Sequence, residues 1–136
     1  MIYVIGFYGD IVFETSDKRI INFNGFTRNA TSTWHNHRKI GGKPASEFIG
    51  PELDTISFTV HLSSNYGVNP QKEMDRWLEK SRSGTVDTLV IGNKALGVDK
   101  WKVVSVSQMW NVVLNRGELF SGDVEIGLEE YVEVLR

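Results

Sequence analysis

Residues 55–62 alternate without a fault: Ile56, Phe58, Val60 and Leu62 fall on one side, and Thr55, Ser57, Thr59 and His61 on the other. Period-two alternation predicts a strand with one face on a core and the other wet or at an interface. Shorter strands are predicted at residues 2–5 and 11–14, separated by Gly6 and Gly9. Another runs from Arg19 through Ile21 and Phe23 to a bend at Gly25. Residues 26–38 are long, rich in Thr and Asn and weakly alternating, so the pattern sets no strong register. Such a strand belongs at an edge, or faces water or a partner on both sides. Residues 47–49 form a short strand before Gly50-Pro51.

The period changes once. Asn69 is suited to cap a helix and Pro70 to open it. Met74, Trp77, Leu78 and Ser81 then share one face, opposite Lys72, Asp75, Glu79 and Arg82, and Gly84 supplies the stop. The predicted helix spans residues 70–83 and is too short to stand alone, so Met74, Trp77 and Leu78 must dock on the sheet. Beyond it, a strand over 88–91 ends at Gly92-Asn93. A long strand over 101–114 carries Val104, Val106, Trp110, Val112 and Leu114 on one face. Asn115-Arg116-Gly117-Glu118 reads as a turn, and 119–134 return with Val124, Ile126 and Leu128 on one face. Glu129-Glu130 interrupts that alternation, which predicts a bulge near Glu129. The expected architecture is therefore mainly β (α+β): an antiparallel barrel or sandwich with one flanking helix and a long C-terminal hairpin.

Composition narrows the classes. The 136 residues suit one domain over 1–136, and 40% hydrophobic with 24% charged is ordinary for a globular chain. A net charge of −2 lacks the basic excess of a non-specific nucleic-acid binder. With no cysteine, disulfides and thiolate chemistry are excluded. The apolar opening has no basic start and is interrupted by Asp10, so neither a signal peptide nor a membrane span is expected, and synthesis in the cytoplasm is.

Candidate chemistry is thin. His35 and His37 share a strand face as two metal ligands would, and His61 lies on the polar face of another strand, but a zinc site needs three or four converging ligands. The late carboxylates Glu118, Asp123, Glu125, Glu129, Glu130 and Glu133 suit paired-acid hydrolysis only at defined separations, and a solvated or subunit-facing edge explains them as well. Gly41-Gly42-Lys43 lacks the spaced first glycine and following hydroxyl of a phosphate loop. It reads as a turn carrying Arg38, Lys39 and Lys43. Trp77 and Trp110 lie on apolar faces and are assigned to the core, whereas Trp34 sits in a polar strand and suits an interface anchor. The discriminating alternative to an assembly protein is a small hydrolase or metal-binding protein using His35, His37 or His61 with a late carboxylate.

Trp34-His35-Asn36-His37-Arg38, Gly41-Gly42-Lys43-Pro44, Gly50-Pro51 and Asp54-Thr55-Ile56 follow one another in this order. Arg82-Ser83-Gly84, Leu89-Val90-Ile91-Gly92, Leu96-Gly97 with Lys100-Trp101, and Leu128-Glu129-Glu130-Tyr131 complete the series. In order and spacing, from about Gly6 to Val132, the chain resembles the GpU family of contractile-tail phages, named for a tail protein of phage P2. The resemblance implies a virion structural protein with a tail-tube-type fold, no catalysis and no cofactor. It implies a hexameric ring around the tube axis, either initiating the tube at the baseplate or terminating the tail at the head-proximal end. The implied partners are further copies of the chain, the tail tube protein, a baseplate hub or spike protein and the tape measure. DNA would pass through the lumen without specific binding, and no membrane is involved. The particle is a virion, a defective prophage particle or a tailocin, assembled in the bacterial host cytoplasm. On this reading Trp34, His35, His37, Arg38, Lys39, Gly41, Gly42, Lys43, Glu125, Glu129 and Glu133 form the subunit interface, with basic Arg38, Lys39 and Lys43 meeting Glu125, Glu129 or Glu133 of a neighbour, a complementarity that sets register more than affinity.

Overall fold

The computed structural model describes residues 3–16, 19–97 and 100–133. With 60% of the chain in strands and 13% in helix, the fold is mainly β, as the alternation predicts. In chain order the elements are β1 (Tyr3–Tyr8), β2 (Ile11–Thr15), β3 (Ile20–Asn29), β4 (Ser32–His37), β5 (Ala45–Pro51), β6 (Thr55–Ser63), a single 3-10 turn, α1 (Pro70–Ser83), β7 (Val86–Asp87), β8 (Leu89–Ile91), β9 (Lys94–Ala95), β10 (Lys100–Val113) and β11 (Leu119–Tyr131). Among the described residues, nine strands form one sheet in the order β7-β10-β11-β6-β3-β2-β1-β8-β9, while β4 and β5 pair with each other.

That sheet is not flat. β3 pairs with β2 at Ile20 and Ile21 and then passes to β6 from Asn22 onward. Five strand spacings separate β1 from β10 in the order, roughly 24 Å if the sheet were laid out. Yet the Tyr8 hydroxyl donates to the Trp101 carbonyl at 2.8 Å. The sheet therefore turns back at β3, and its two halves close on a shared core. Phe13 of β2 lies 5.9 Å from Phe58 of β6, ring to ring, and Trp77 of α1 stacks on Tyr8 at 5.6 Å and on Phe13 at 6.2 Å. Ile56, Phe58, Val60 and Leu62 are all buried, as are Val124, Ile126 and Leu128.

The helix keeps its predicted bounds. Asn69 accepts from the Lys72 amide at 3.2 Å, Pro70 opens it, and Gly84 closes it with φ 70°. Met74 and Trp77 are buried, whereas Leu78 is half-buried. Lys80 ties α1 to the β1–β2 turn through Asp10 at 2.9 Å and to β7 through Asp87 at 3.0 Å. Burial pulls the Lys80 ammonium down, but the bonds to Asp10 and Asp87 outweigh it and leave the group above the ordinary lysine range. Glu73, buried on the same helix, is held by Arg19 at 2.8 Å and Arg76 at 3.3 Å.

Several predicted details are corrected. Gly6 does not end the first strand, because a register shift between Val4 and Gly6 absorbs it. Ile2 and Val134, included in the predicted strands, lie outside the described residues. Gly25 is likewise no terminus: β3 continues to Asn29 through a register shift between Asn24 and Thr27, with Gly25 at φ 65°. The single polar strand predicted over 26–38 is two, broken at Ala30-Thr31. The bulge expected near Glu129 lies instead on the partner strand: β11 pairs unbroken there, and β10 shifts register between Val103 and Ser105. That extra residue switches the core-facing parity within β10, so Val106 of the predicted face packs on the core while Val104 does not. The buried residues of β10 are Trp101 and Val103, while Val104 is exposed. Trp110, assigned to the core, is 44% exposed because β10 and β11 run on past the body of the sheet.

Candidate assembly surfaces

Two hairpins leave the closed body at opposite ends of the same strands. β4 and β5 form an arm between the end of β3 and the start of β6, and its root is clamped. Arg28 pairs with Asp54 at 2.7 Å and lies 5.5 Å over the Trp101 ring. The Asp54 amide donates to the Glu130 carboxylate at 2.7 Å, and the Glu130 amide donates back to the Asp54 carbonyl at 3.0 Å. At the other end, β6 stops where Ser63 faces Ser121, and the β10–β11 tip continues beyond.

Pairing register gives the arm two unlike faces. Trp34 stands opposite Phe48, with rings 5.0 Å apart, and Asn36 opposite Ser46. Trp34 is 56% exposed and donates its indole N–H to the Ser32 hydroxyl at 3.0 Å. His35 and His37 lie on the reverse face with ring centroids 4.6 Å apart, and His37 Nε2 is 2.7 Å from Glu47 Oε2. Arg38, Lys39, Gly41, Gly42 and Lys43 form the exposed loop between the two strands, where Gly41 turns at φ 73°. Ile40 in that loop, and Phe48 and Ile49 on β5, are exposed as well. An isolated two-stranded hairpin is marginal in water, so an arm with this much open apolar surface has the character of a surface awaiting a partner.

The tip matches it. Met109, Trp110, Val112, Val113 and Leu114 are all exposed, and the turn at Gly117 is closed by the Leu114 amide donating to the Glu118 carbonyl at 2.8 Å. Only Trp101 and Lys102 of β10 are paired with β7, so among the described residues the outer edge of β10 beyond them carries no strand.

Between the hairpins lies a third surface, the face of β3, β6, β11 and β10 turned away from the core. Its rows read Asn22–His61–Asp123–Met109, Asn24–Thr59–Glu125–Ser107 and Asn29–Thr55–Glu129–Lys102. Asp123 accepts from Asn111 at 3.0 Å and meets His61 Nδ1 at 2.7 Å. Burial raises the Asp123 carboxyl, but the bonds from Asn111 and His61 exceed that effect and hold it below the ordinary range. Glu129 is already paired with Lys102 at 3.0 Å, whereas Glu125 stands between uncharged Thr59 and Ser107. Glu133 is exposed just past the end of β11.

The expected site residues thus divide between the arm and this acidic face. The sequence did not single out Phe48 and Ile49 or the exposure of the apolar tip, and it set His61 beside a late carboxylate without choosing Asp123. Phe48-Ile49 carried a usable signal, two large apolar residues in a segment without a core period. His61 and Asp123 are 62 residues apart and only the pairing of β6 with β11 joins them. Among the described residues no group of three or more His, Asp or Glu side chains is arranged to hold a metal ion. An open groove of about 880 Å³ runs along α1, lined by ion-paired side chains including Asp10, Arg76 and Lys80.

The fold is a closed mainly-β body from which two hairpins project with exposed apolar side chains. The family model for Phage P2 GpU matches residues 9–133. The chain belongs to that family, which implies a structural protein of phage tails, located in the virion tail. No curated protein matches the chain.

Proposed function

We propose that the chain is the ring subunit that joins the tail tube to the baseplate hub and so initiates the tube. The observation that carries this reading is the placement of two exposed, apolar hairpins at opposite ends of one sheet. A ring between unlike neighbours needs contacts in more than one direction, and a subunit with a single sticky face would stop at a dimer. The sheet face between them suits a lumen. It presents hydroxyls, amides and the carboxylates Asp123, Glu125 and Glu129, and an acidic wall repels passing DNA. Hexameric symmetry and contacts with the tube, hub and tape-measure proteins complete the proposal.

Deleting residues 41–46 tests it. They lie in the exposed loop and the first two positions of β5, far from the core, so thermal unfolding of the variant should match that of the parent. Tails should fail to assemble. Normal tails from this variant would refute the proposed role of the arm. An electron-microscopy map of the particle then decides the end of the tail: density for this ring at the head-proximal end makes it a terminator instead.

A further inference from the structure

Building on the ring reading, we infer that the β4–β5 arm of one subunit docks on the β10–β11 tip of the neighbouring copy, adding a strand to the open edge of β10 near Met109–Val113 and bringing Trp34 and Phe48 onto the exposed apolar side chains of the tip. Five observations converge on a second copy as the occupant.

Both surfaces are unfinished in the same way. The arm has two free strand edges and the tip has one, and open edges pair with other strands unless something covers them. The lengths permit it: β4 has six residues and β5 seven, and the open edge of β10 runs from Val103 to Val113. Their side chains agree as well. Trp34 and Phe48 pair as one aromatic row, and Trp110 and Val112 offer exposed apolar surface of the kind that anchors interfaces.

The charges are opposite. Between residues 32 and 51 the cations Arg38, Lys39 and Lys43 face one carboxylate, Glu47, leaving +2. The β10–β11 hairpin is acidic over 103–128, where Glu118, Asp123 and Glu125 face one cation, Arg116, and leave −2, while within the tip itself, 109–121, Glu118 and Arg116 balance.

The last observation excludes a contact within one chain. The arm is rooted in the row of Asn29, Thr55 and Glu129, and the tip in the row of Ser63 and Ser121. Eight residue steps of β6 separate these rows, roughly 26 Å along the strand. The arm therefore reaches another copy's tip, not its own. A contact between two different patches of one chain is head-to-tail, and repeating it generates a closed ring or a filament.

Because the chain has no cysteine, the contact can be trapped selectively. Subunits carrying Trp34→Cys are co-assembled with subunits carrying Val112→Cys, the assembled fraction is isolated by sedimentation, and a short bismaleimide is added. The expected product is a 34-to-112 adduct that forms in the mixture and in neither single-variant population. A second arm uses charge. Lys39→Glu with Lys43→Glu should reduce the assembled fraction roughly tenfold, more severely at low salt, and Glu118→Lys with Glu125→Lys in the same chain should restore it. An assembled fraction without the adduct, or without charge-swap rescue, overturns the arm-to-tip contact and leaves the tail-protein reading standing. Absence of any assembled fraction from the parent chain overturns the ring reading itself.

Discussion

At Gly122 a missing side chain does structural work. A Cβ there would lie 2.6 Å from the Met109 carbonyl oxygen and 2.7 Å from Met74 Cε. The glycine lets α1 press its methionine onto β11 while β10 closes on the other side. Gly122→Val should destabilise by about 1–3 kcal/mol, the range of overpacked cores, measured as a lower urea midpoint at unchanged slope. Asp123, one residue on, points to the opposite face and is held as a carboxylate by Asn111 and His61. A carboxyl whose folded pKa lies below its unfolded value stabilises above the ordinary carboxylate range and loses that contribution as pH falls through the folded pKa. Asp123→Asn should therefore lower stability at pH 6 and flatten the loss of stability on acidification. Denaturation series from pH 6 to pH 3 check this, and parallel curves for the two proteins would show that the Asp123 bonds contribute nothing.

Among the elements, legibility followed burial. The predicted bounds of α1 and the core face of β6 match the structure because each rests on local rules. Asn69, Pro70 and Gly84 punctuate the helix, and four apolar residues in strict alternation leave β6 one register. Asn69→Ala removes the acceptor of the Lys72 amide and should cost about 1 kcal/mol, seen as a lower melting temperature with the far-ultraviolet dichroism of the native fold. The face of β10 was not legible. Apolar residues at both parities over 101–114 allow two registers, and the bulge at Val104 uses both: Trp101 and Val103 face the core before it, and Val106 after it. The arm was legible only as a weak strand. Its residues face water on both sides, so no burial pattern marks where β3 ends and β4 begins.

For the molecule as a whole, closure of the sheet is what matters. Turning at β3 lets Tyr8 meet Trp101 and buries three aromatic elements around Trp77. The closed body projects the arm from one end and the tip from the other. Such a body can hold two docking surfaces at a fixed separation, which is what a ring subunit requires. The loop deletion and the cross-linking experiment both depend on that separation: the first removes the reach of the arm, and the second measures where it lands.

Order and spacing of motifs were enough, from the sequence alone, to point to the GpU family, and periodicity was enough for a mainly-β fold with one helix at 70–83. These are local properties, set by alternation, caps and turns that any segment carries with it. Which face of β10 is buried, that Trp110 is exposed, that His61 meets Asp123, and that the two hairpins stand at opposite ends of the sheet were decided by tertiary structure. The reason is the same in each case: register between distant strands depends on bulges and on sheet closure, and neither leaves a periodic trace in the residues that undergo it.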